Sequence, residues 1–320
     1  MTTMDTAWSV TDLADDLRNE LCWTPGLGWR LWDGRVWNGA QQKTGGPVLS
    51  APAQRVNRWM EEHGYQSLAA TRLRETVRQL QACLATTEDT FDTHLDLLNV
   101  QNGVVNIRTG ELGVHDPALR MTKVASVDYD PEARSDAWDQ VLAAIQAPEL
   151  DRLRSRIADT VAGGPLDDVT LIHGPGESGK STFVQGIRTA LGSYALVTGG
   201  DVSGLRRPVD MFDLRGARFV VLEDATPRDM DRVKRLATMD WFSVRQMRHD
   251  AFVTRRSYRV LVTTNLSPDE LTADEGTLRR LHPVEFTAVQ QRNPLLNAAV
   301  REPETLRAVL RWIVEGALSR

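Results

Sequence analysis

A glycine-rich stretch with the sequence HGPGESGKST occupies residues 173–182 and follows a short apolar run at residues 169–172. Its spacing matches the pattern G-x-x-x-x-G-K-[S/T] between a predicted strand and a predicted helix. Glycines let backbone N–H groups turn toward phosphate oxygens, and the helix that follows directs the positive end of its dipole at the same point. The residues that this pattern predicts to bind a nucleotide are Gly174, Pro175, Gly176, Glu177, Ser178, Gly179, Lys180, Ser181 and Thr182.

Two side chains of this stretch are predicted to act directly on a bound triphosphate. Lys180 is expected to reach the β- and γ-phosphates, and the hydroxyl of Ser181 is expected to ligate Mg²⁺. The predicted cofactors are therefore ATP and Mg²⁺.

An acidic pair follows a second apolar run in the stretch RFVVLEDA. Residues 219–222 are predicted to form a buried parallel strand that delivers Glu223 and Asp224 to its carboxyl end, where ligands bind in open α/β sheets. One carboxylate can hold the hydrated Mg²⁺ ion while the other orients or deprotonates the attacking water. The sequence leaves open which residue takes which role, so Ser181, Glu223 and Asp224 are all predicted metal-site residues.

Polar residues also follow a third predicted strand, residues 259–264. Asn265 comes directly after this strand and is expected to hydrogen-bond the γ-phosphate or the attacking water. Further along, the stretch GTLRRLHPVEF contains Arg279 and Arg280. In a ring of ATPase subunits, an arginine at such a position stabilises charge on the nucleotide of the neighbouring subunit.

The elements that hold these residues are predicted from the hydrophobic pattern. In the C-terminal half, strand-like apolar runs alternate with helical segments, which is typical of an α/β sheet with crossover helices. The N-terminal half mixes a tryptophan-rich β-hairpin at residues 23–37, helices at residues 54–85, a second hairpin, and a helix that starts in the stretch YDPEA. The predicted domains are an N-terminal mixed α+β domain, residues 1–147, and an α/β ATPase domain, residues 148–320.

Composition limits the classes of protein to which the chain can belong. The chain has 320 residues, a net charge of −5 and a pI near 5.8. Because the chain as a whole is acidic, any surface that binds nucleic acid must be a concentrated basic strip. Cys22 and Cys83 have no metal-ligand spacing, and the N-terminus has no export signal. No apolar run approaches the ~20 residues that a membrane span needs. These features predict a cytoplasmic protein.

Together, these motifs resemble those of superfamily 3 helicases, and within them the poxvirus and phage/plasmid primase-helicase group. The resemblance is carried by LLNVQNGVVNIRTGELGVHDP and VDYDPEA in the N-terminal half, and by GPGESGKSTF, VVLEDA, VKRLATMDWFSVR, VLVTTNLSP and LRRLHPVEF in the C-terminal half. It implies an AAA+-like P-loop ATPase core that assembles as a hexameric ring with DNA in its pore. It also implies catalytic roles for Lys180, Glu223, Asp224 and Asn265, with Arg280 acting on the neighbouring subunit's nucleotide and Arg279 as the alternative.

The same group carries a pore hairpin between the acidic pair and the third strand. In this chain, basic side chains far outnumber aspartates in that segment. This composition predicts salt-dependent contact with the phosphates of a DNA strand. Arg248 and His249, near the predicted tip, are the residues most expected to contact the strand. The alternatives are a solvated basic face and charge pairing between subunits. The predicted DNA-binding residues are Arg245, Arg248, His249, Arg255 and Arg256.

Two departures from the group's pattern affect the expected function. The sequence MDWF replaces the glycine-rich turn expected after VKRLAT. In addition, no primase-like segment precedes the N-terminal half and no winged-helix extension follows the last predicted helix. A separate primase or origin-binding protein is therefore an expected partner.

The leading hypothesis is an ATP-dependent DNA helicase or translocase that acts as a hexameric ring on single-stranded or forked DNA. It would act in the replication of a phage, prophage or mobile element in the cytoplasm of a bacterial host. The alternative is a replication initiator or regulatory ATPase that assembles on DNA without processive unwinding. A small-molecule kinase is disfavoured, because no acceptor pocket is recognisable in the sequence and the basic hairpin would have no role.

Overall fold

The computed structural model describes residues 8–39, 50–163, 167–198, 211–271, 274–287 and 293–319. Buried apolar side chains among these residues include a larger core and a smaller core. Each core belongs to one of two compact units of the chain. The first unit comprises Met1–Thr93, Asp116–Thr122 and Gln246–Phe252, and the second comprises His94–His115, Lys123–Arg245 and Val253–Arg320.

The described part of the first unit combines three α-helices with a small antiparallel sheet. Apolar side chains on one face of each helix, such as Leu13, Val56 and Leu80, fill its core. The predicted tryptophan-rich hairpin and the predicted helices are both present. The bounds are α1 (Val10–Leu17), β1 (Leu21–Thr24), β2 (Gly28–Trp32), β3 (Trp37–Gly39), α2 (Ala51–Glu62) and α3 (Ala70–Cys83).

The second unit begins with an antiparallel sheet that contains the second predicted hairpin, in which Val100 pairs with Gly103 across the turn. The first helix after this sheet begins later than predicted, at Asp136 rather than in YDPEA. The side chain of Ser135 accepts a hydrogen bond from the N–H of Trp138 and thereby caps the helix at that point. The bounds are β4 (Leu97–Val100), β5 (Gly103–Asn106), β6 (Leu112–Gly113), α4 (Asp136–Ala143) and α5 (Ala147–Ala162).

Five parallel strands form the central sheet of the second unit. They are β7 (Val169–His173), β8 (Ala195–Thr198), β9 (Phe219–Leu222), β12 (Arg259–Thr264) and β13 (Leu281–Glu285). Their order is β13, β7, β12, β9, β8, so β12 lies between β7 and β9 and pairs with both. Every residue of β12 is buried, as expected of a central strand in a covered parallel sheet.

Helices and a two-stranded hairpin connect and follow these strands. The helices are α6 (Lys180–Leu191), α7 (Met230–Thr238), α8 (Glu275–Leu278), α9 (Pro294–Ala299) and α10 (Pro303–Leu318), and the hairpin strands are β10 (Trp241–Arg245) and β11 (Ala251–Arg255). Within the described ranges, no helix combines the length and apolar character that crossing a membrane requires.

Aromatic rings pack around α6. Trp138 stacks on Phe183 with ring centroids 5.6 Å apart, while Trp312 and Phe286 contact Phe183 edge to face at 6.0 and 5.9 Å. Each such pair adds about 0.5–1.5 kcal/mol to the stabilisation from burial. A Cβ at Gly186 would lie 2.8 Å from Cζ3 of Trp138, so the absence of a side chain at Gly186 lets α4 pack closely on α6.

The predicted domain boundary at residue 147 differs from the division between the units. Elements before that residue, including β4, β5 and α4, contribute Leu98, Val105 and Trp138 to the core of the second unit. A compact unit is defined by which residues share a core. The change in sequence pattern near residue 147 therefore marks a connection between α4 and α5 inside one unit.

A buried arginine joins the central sheet to the antiparallel sheet. Arg218 directly precedes β9 and is 3% exposed. Its guanidinium donates hydrogen bonds to the backbone carbonyls of His94, Leu95, Leu97 and Val161 at 2.6–2.8 Å. One side chain thereby connects the start of β9 with the start of β4 and the end of α5.

Replacing Arg218 with Met should lower the free energy of unfolding by about 3 kcal/mol, because buried carbonyl oxygens lose a charged donor and each unsatisfied group costs about 1–3 kcal/mol. Urea denaturation followed by circular dichroism measures this loss. The matched control is Arg235→Met, at an exposed position of α7, which should leave stability nearly unchanged. An Arg218→Met variant as stable as the wild type would contradict the role assigned to the guanidinium.

Candidate nucleotide-binding site

The glycine-rich loop between β7 and α6 begins at a position that excludes a side chain. Gly174 has a φ of +141°, and a Cβ there would lie 2.2 Å from the carbonyl oxygen of Phe286. The loop ends at Gly179, the N-cap of α6. Glycine has no side chain that could accept hydrogen bonds from the first turn of the helix, so these N–H groups have no side-chain cap. Such a helix start suits a phosphate group.

The lysine of the loop is held beneath it. Lys180 is 6% exposed, and its Nζ donates to the carbonyl oxygens of Gly174 and Pro175 at 2.8 and 2.7 Å and to the hydroxyl of Ser178 at 3.2 Å. Burial lowers the pKa of the Lys180 amine, and the charge of Asp224 opposes that shift. The loop's own oxygens thus orient the ammonium group, which can exchange them for phosphate oxygens.

A cavity of about 410 Å³ opens next to the loop. This volume falls within the range of about 300–1,000 Å³ that is usual for small-molecule sites. Three separate parts of the second unit contribute to its walls: the loop with the first turn of α6, the strand ends at Asp224 and Asn265, and α9. The lining residues are Gly176, Glu177, Ser178, Gly179, Lys180, Ser181, Thr182, Asp224, Asn265, Asn293, Leu296 and Asn297.

The two residues of the predicted acidic pair differ in their position relative to the cavity. Asp224 lines the cavity, whereas the half-buried Glu223 does not. The backbone of Asp224 has a φ of +54°, which is strained for a residue other than glycine. The neighbouring strand β12 holds this turn: the N–H of Asp224 donates to the hydroxyl of Thr263 at 3.3 Å, and the hydroxyl of Thr264 donates to the carbonyl of Ala225 at 2.8 Å.

The structure therefore brings several predicted site residues to one place. Lys180, Ser181, Asp224 and Asn265 all line the same cavity. Parallel pairing explains this arrangement, since Thr264, the last residue of β12, pairs with the end of β7. Side chains that follow these strands consequently lie at one edge of the sheet.

Three lining residues were not predicted from the sequence. Asn293, Leu296 and Asn297 belong to α9 and its N-cap, and the hydroxyl of Thr182 donates to Oδ1 of Asn297 at 2.6 Å. The Asn-Pro pair at residues 293–294 is a recognisable helix start. That signal predicts a helix but does not indicate that the helix packs against the first turn of α6.

The predicted trans-acting arginines lie away from this cavity. Arg279 is exposed and Arg280 is half-buried, and neither lines the cavity. The guanidinium of Arg280 donates to the carbonyl of Gly276 within α8. Within a single chain, neither arginine therefore forms part of the wall of this cavity.

The hairpin of β10 and β11 alternates exposed side chains with buried ones on β10 and with half-buried ones on β11. On β10, Phe242 and Val244 are buried while Trp241 and Arg245 are exposed. Arg255 on β11 is exposed as well. The predicted basic hairpin thus presents guanidinium groups and one indole ring to solvent.

The turn of this hairpin belongs to the first unit. Arg248 is exposed there and has a φ of +67°. His249 is half-buried and packs on Gly28, where a Cβ would lie 2.4 Å from Cε1 of the imidazole. The side chain of Gln246 also accepts a hydrogen bond of 3.2 Å from Arg30. Of the two predicted tip contacts, Arg248 is open to solvent and His249 is partly enclosed by protein.

Arg256 does not suit the DNA contact predicted for it. Its side chain is fully buried and lies 3.3 and 3.5 Å from the carboxylates of Asp167 and Asp240. The guanidinium also donates to the carbonyl of Ala237 at the end of α7, and the backbone N–H donates to the carbonyl of Asp240 at 2.8 Å. This corrects the prediction, because Arg256 anchors the base of the hairpin and is inaccessible to a DNA strand.

Adjacent arginines in the hairpin offer a test of this correction. Arg256→Gln should lower the free energy of unfolding by about 2 kcal/mol, because buried hydrogen bonds to a charged group are lost. Arg255→Gln, at the exposed neighbouring position, should leave it nearly unchanged. Chemical denaturation compares the two, and equal effects of the two substitutions would show that Arg256 has no special structural role.

Comparison with protein families matches two segments of the chain. Residues 12–147 match the family described as D5 N terminal like. Residues 172–280 match a family of unknown function, DUF5906. No curated protein matches the chain.

A solved structure of the NrS-1 C terminal region is among those similar in fold. The apo structure of the NrS-1 C terminal region (305-718) has a TM-score of 0.59 and 9% identity, covering 100% of this chain and 72% of that chain. Two A form apo structures of the same region have TM-scores of 0.46 and 0.47, with 12% and 11% identity, covering 57% and 59% of this chain. This chain spans 46% and 47% of the length of those two. A D5 N-terminal-like segment is thus followed by a DUF5906-like segment in a fold similar to that of the NrS-1 C terminal region.

Proposed function

We propose that this chain is an ATP-dependent DNA helicase or translocase that acts as a hexameric ring in the replication of a phage, prophage or mobile element. The observation that carries the proposal is the convergence of Lys180, Ser181, Asp224 and Asn265 on one cavity at the end of an uncapped helix. A D5 N-terminal-like segment before this site agrees with the resemblance to primase-helicases.

Phosphoryl transfer needs a metal ion and an oriented water, and the cavity offers residues for both. Ser181 and Asp224 would hold hydrated Mg²⁺, which is commonly bound by one or two carboxylates together with substrate phosphates and water. Asn265 would bind the γ-phosphate or the attacking water. Asp224 is better placed than Glu223 for the metal, because only Asp224 lines the cavity.

A ring would complete this site with a residue from the adjacent subunit. Arg280 lies outside the cavity of its own chain, which is the arrangement required of an arginine that acts in trans. It would stabilise the negative charge that develops on the neighbour's triphosphate. Hydrolysis would then depend on assembly.

The hairpin would contact DNA through its exposed face. Arg245, Arg248 and Arg255 are solvent-accessible and would bind backbone phosphates independently of sequence. Trp241, which is 62% exposed, could stack on an unpaired base. These features favour single-stranded or forked DNA as the partner.

Substitution of Lys180 or of Asp224 should strongly slow ATP hydrolysis. Lys180→Ala and Asp224→Asn should each lower kcat by about 100-fold or more, because each removes charge stabilisation of the transferring phosphoryl group or its metal. Phosphate release in the presence of Mg²⁺ measures this. The control Lys234→Ala removes a lysine of α7 that pairs with Asp274, and it should hydrolyse ATP at the wild-type rate. Wild-type hydrolysis by Lys180→Ala would refute the proposed site.

Single-stranded DNA should stimulate hydrolysis through the hairpin arginines. The double variant Arg245→Ala with Arg255→Ala should lose this stimulation, and the slope of log affinity against log salt should become shallower by about 1.4, since two phosphate contacts are removed.

The matched control for this charge change is Arg74→Ala with Arg78→Ala, at exposed positions of α3. Undiminished stimulation in the hairpin variant would show that the hairpin does not contact DNA. ATP-dependent DNA binding by the wild type without separation of a forked duplex would instead favour the initiator ATPase.

A further inference from the structure

The nucleotide cavity has a wall whose chemistry a triphosphate does not require. A triphosphate needs N–H groups, a cationic side chain and ligands for its Mg²⁺ ion, and the loop, Lys180 and Asp224 would provide these. Asn293, Leu296 and Asn297 instead contribute two carboxamides and one apolar side chain. We infer that this wall, formed by α9 and its N-cap, binds the nucleoside, meaning the ribose and base, of the triphosphate; the inference rests on the proposed nucleotide-binding function.

Helix α9 contacts α6 at a residue other than the phosphate-binding lysine. The hydroxyl of Thr182 donates to Oδ1 of Asn297 at 2.6 Å, which places α9 against the first turn of α6. Residues two positions apart on an α-helix point in directions about 200° apart. Lys180 and Thr182 therefore leave α6 in different directions, so α9 joins the cavity wall at Thr182 and not at the ammonium group of Lys180.

The hydrogen bonds of the two carboxamides determine what they can offer a ligand. Oδ1 of Asn293 accepts from the backbone N–H groups of Leu295 and Leu296, both at 3.1 Å, which fixes its oxygen toward the helix. Oδ1 of Asn297 accepts from Thr182. The NH₂ group of each carboxamide is an N–H donor. Ribose oxygens and base ring nitrogens are acceptors that pair with such donors.

An apolar contact for the base comes from the same helix. Leu296 is half-buried and lines the cavity, whereas its neighbour Leu295 is 83% exposed and lies outside it. A flat base gains from covering an aliphatic side chain, but a triphosphate tail does not. Adjacent leucines on α9 thus form a natural pair for comparison, one in the cavity and one outside.

The test compares two ligands that share a triphosphate and differ in the nucleoside. Calorimetric titration with Mg²⁺–ATP and with Mg²⁺–tripolyphosphate is carried out on the full chain and on Asn297→Ala, Leu296→Ala and the control Leu295→Ala. We expect Asn297→Ala and Leu296→Ala each to weaken ATP binding by about 3- to 10-fold, the loss of one hydrogen bond or apolar contact. Tripolyphosphate affinity should stay at the wild-type value in every variant, which also shows that the variants fold.

Other outcomes overturn the inference in distinguishable ways. Equal weakening of both ligands would mean that α9 only supports α6, and unchanged ATP binding would mean that α9 does not touch the nucleoside. A wild-type protein that binds tripolyphosphate as tightly as ATP would likewise refute it while leaving the phosphate site intact. A wild-type protein that binds neither ligand would refute the proposed nucleotide-binding function as well.

Discussion

The position of β12 between β7 and β9 is the constraint on which the rest of the site depends. Parallel strands present their carboxyl ends at one edge of a sheet, but only neighbouring strands bring those ends side by side. The register pairs Thr264 with His173 and Val262 with Leu222. The phosphate loop, Asp224 and Asn265 therefore meet at a single cavity, although they come from separate parts of the chain.

Strain at the cavity is compensated by the neighbouring strand. A positive φ at a residue such as Asp224 costs about 1–3 kcal/mol and persists only where the surroundings fix it. Thr263 and Thr264 do so through hydrogen bonds to the turn that contains Asp224. Strand β12 consequently fixes the backbone turn that carries the Asp224 carboxylate.

Local sequence patterns could predict the strands of this edge but not the contacts made by every side chain. The apolar runs before Gly174, Glu223 and Asn265 coincide with β7, β9 and β12. Arg255 and Arg256, however, are chemically identical neighbours, and which of them is buried depends on how the hairpin base packs. Helix α9 likewise lies outside every motif, and its place in the cavity wall follows from tertiary packing alone.

The packing of Trp138 against Gly186 has an evolutionary consequence. Trp138 lies in the D5 N-terminal-like segment and Gly186 in the DUF5906-like segment. The indole occupies the space that a side chain at Gly186 would need, so a larger residue at one position requires a smaller residue at the other. Recombination that exchanged one segment alone would place mismatched surfaces in a shared core. The two segments are therefore expected to be inherited together and to covary at this pair.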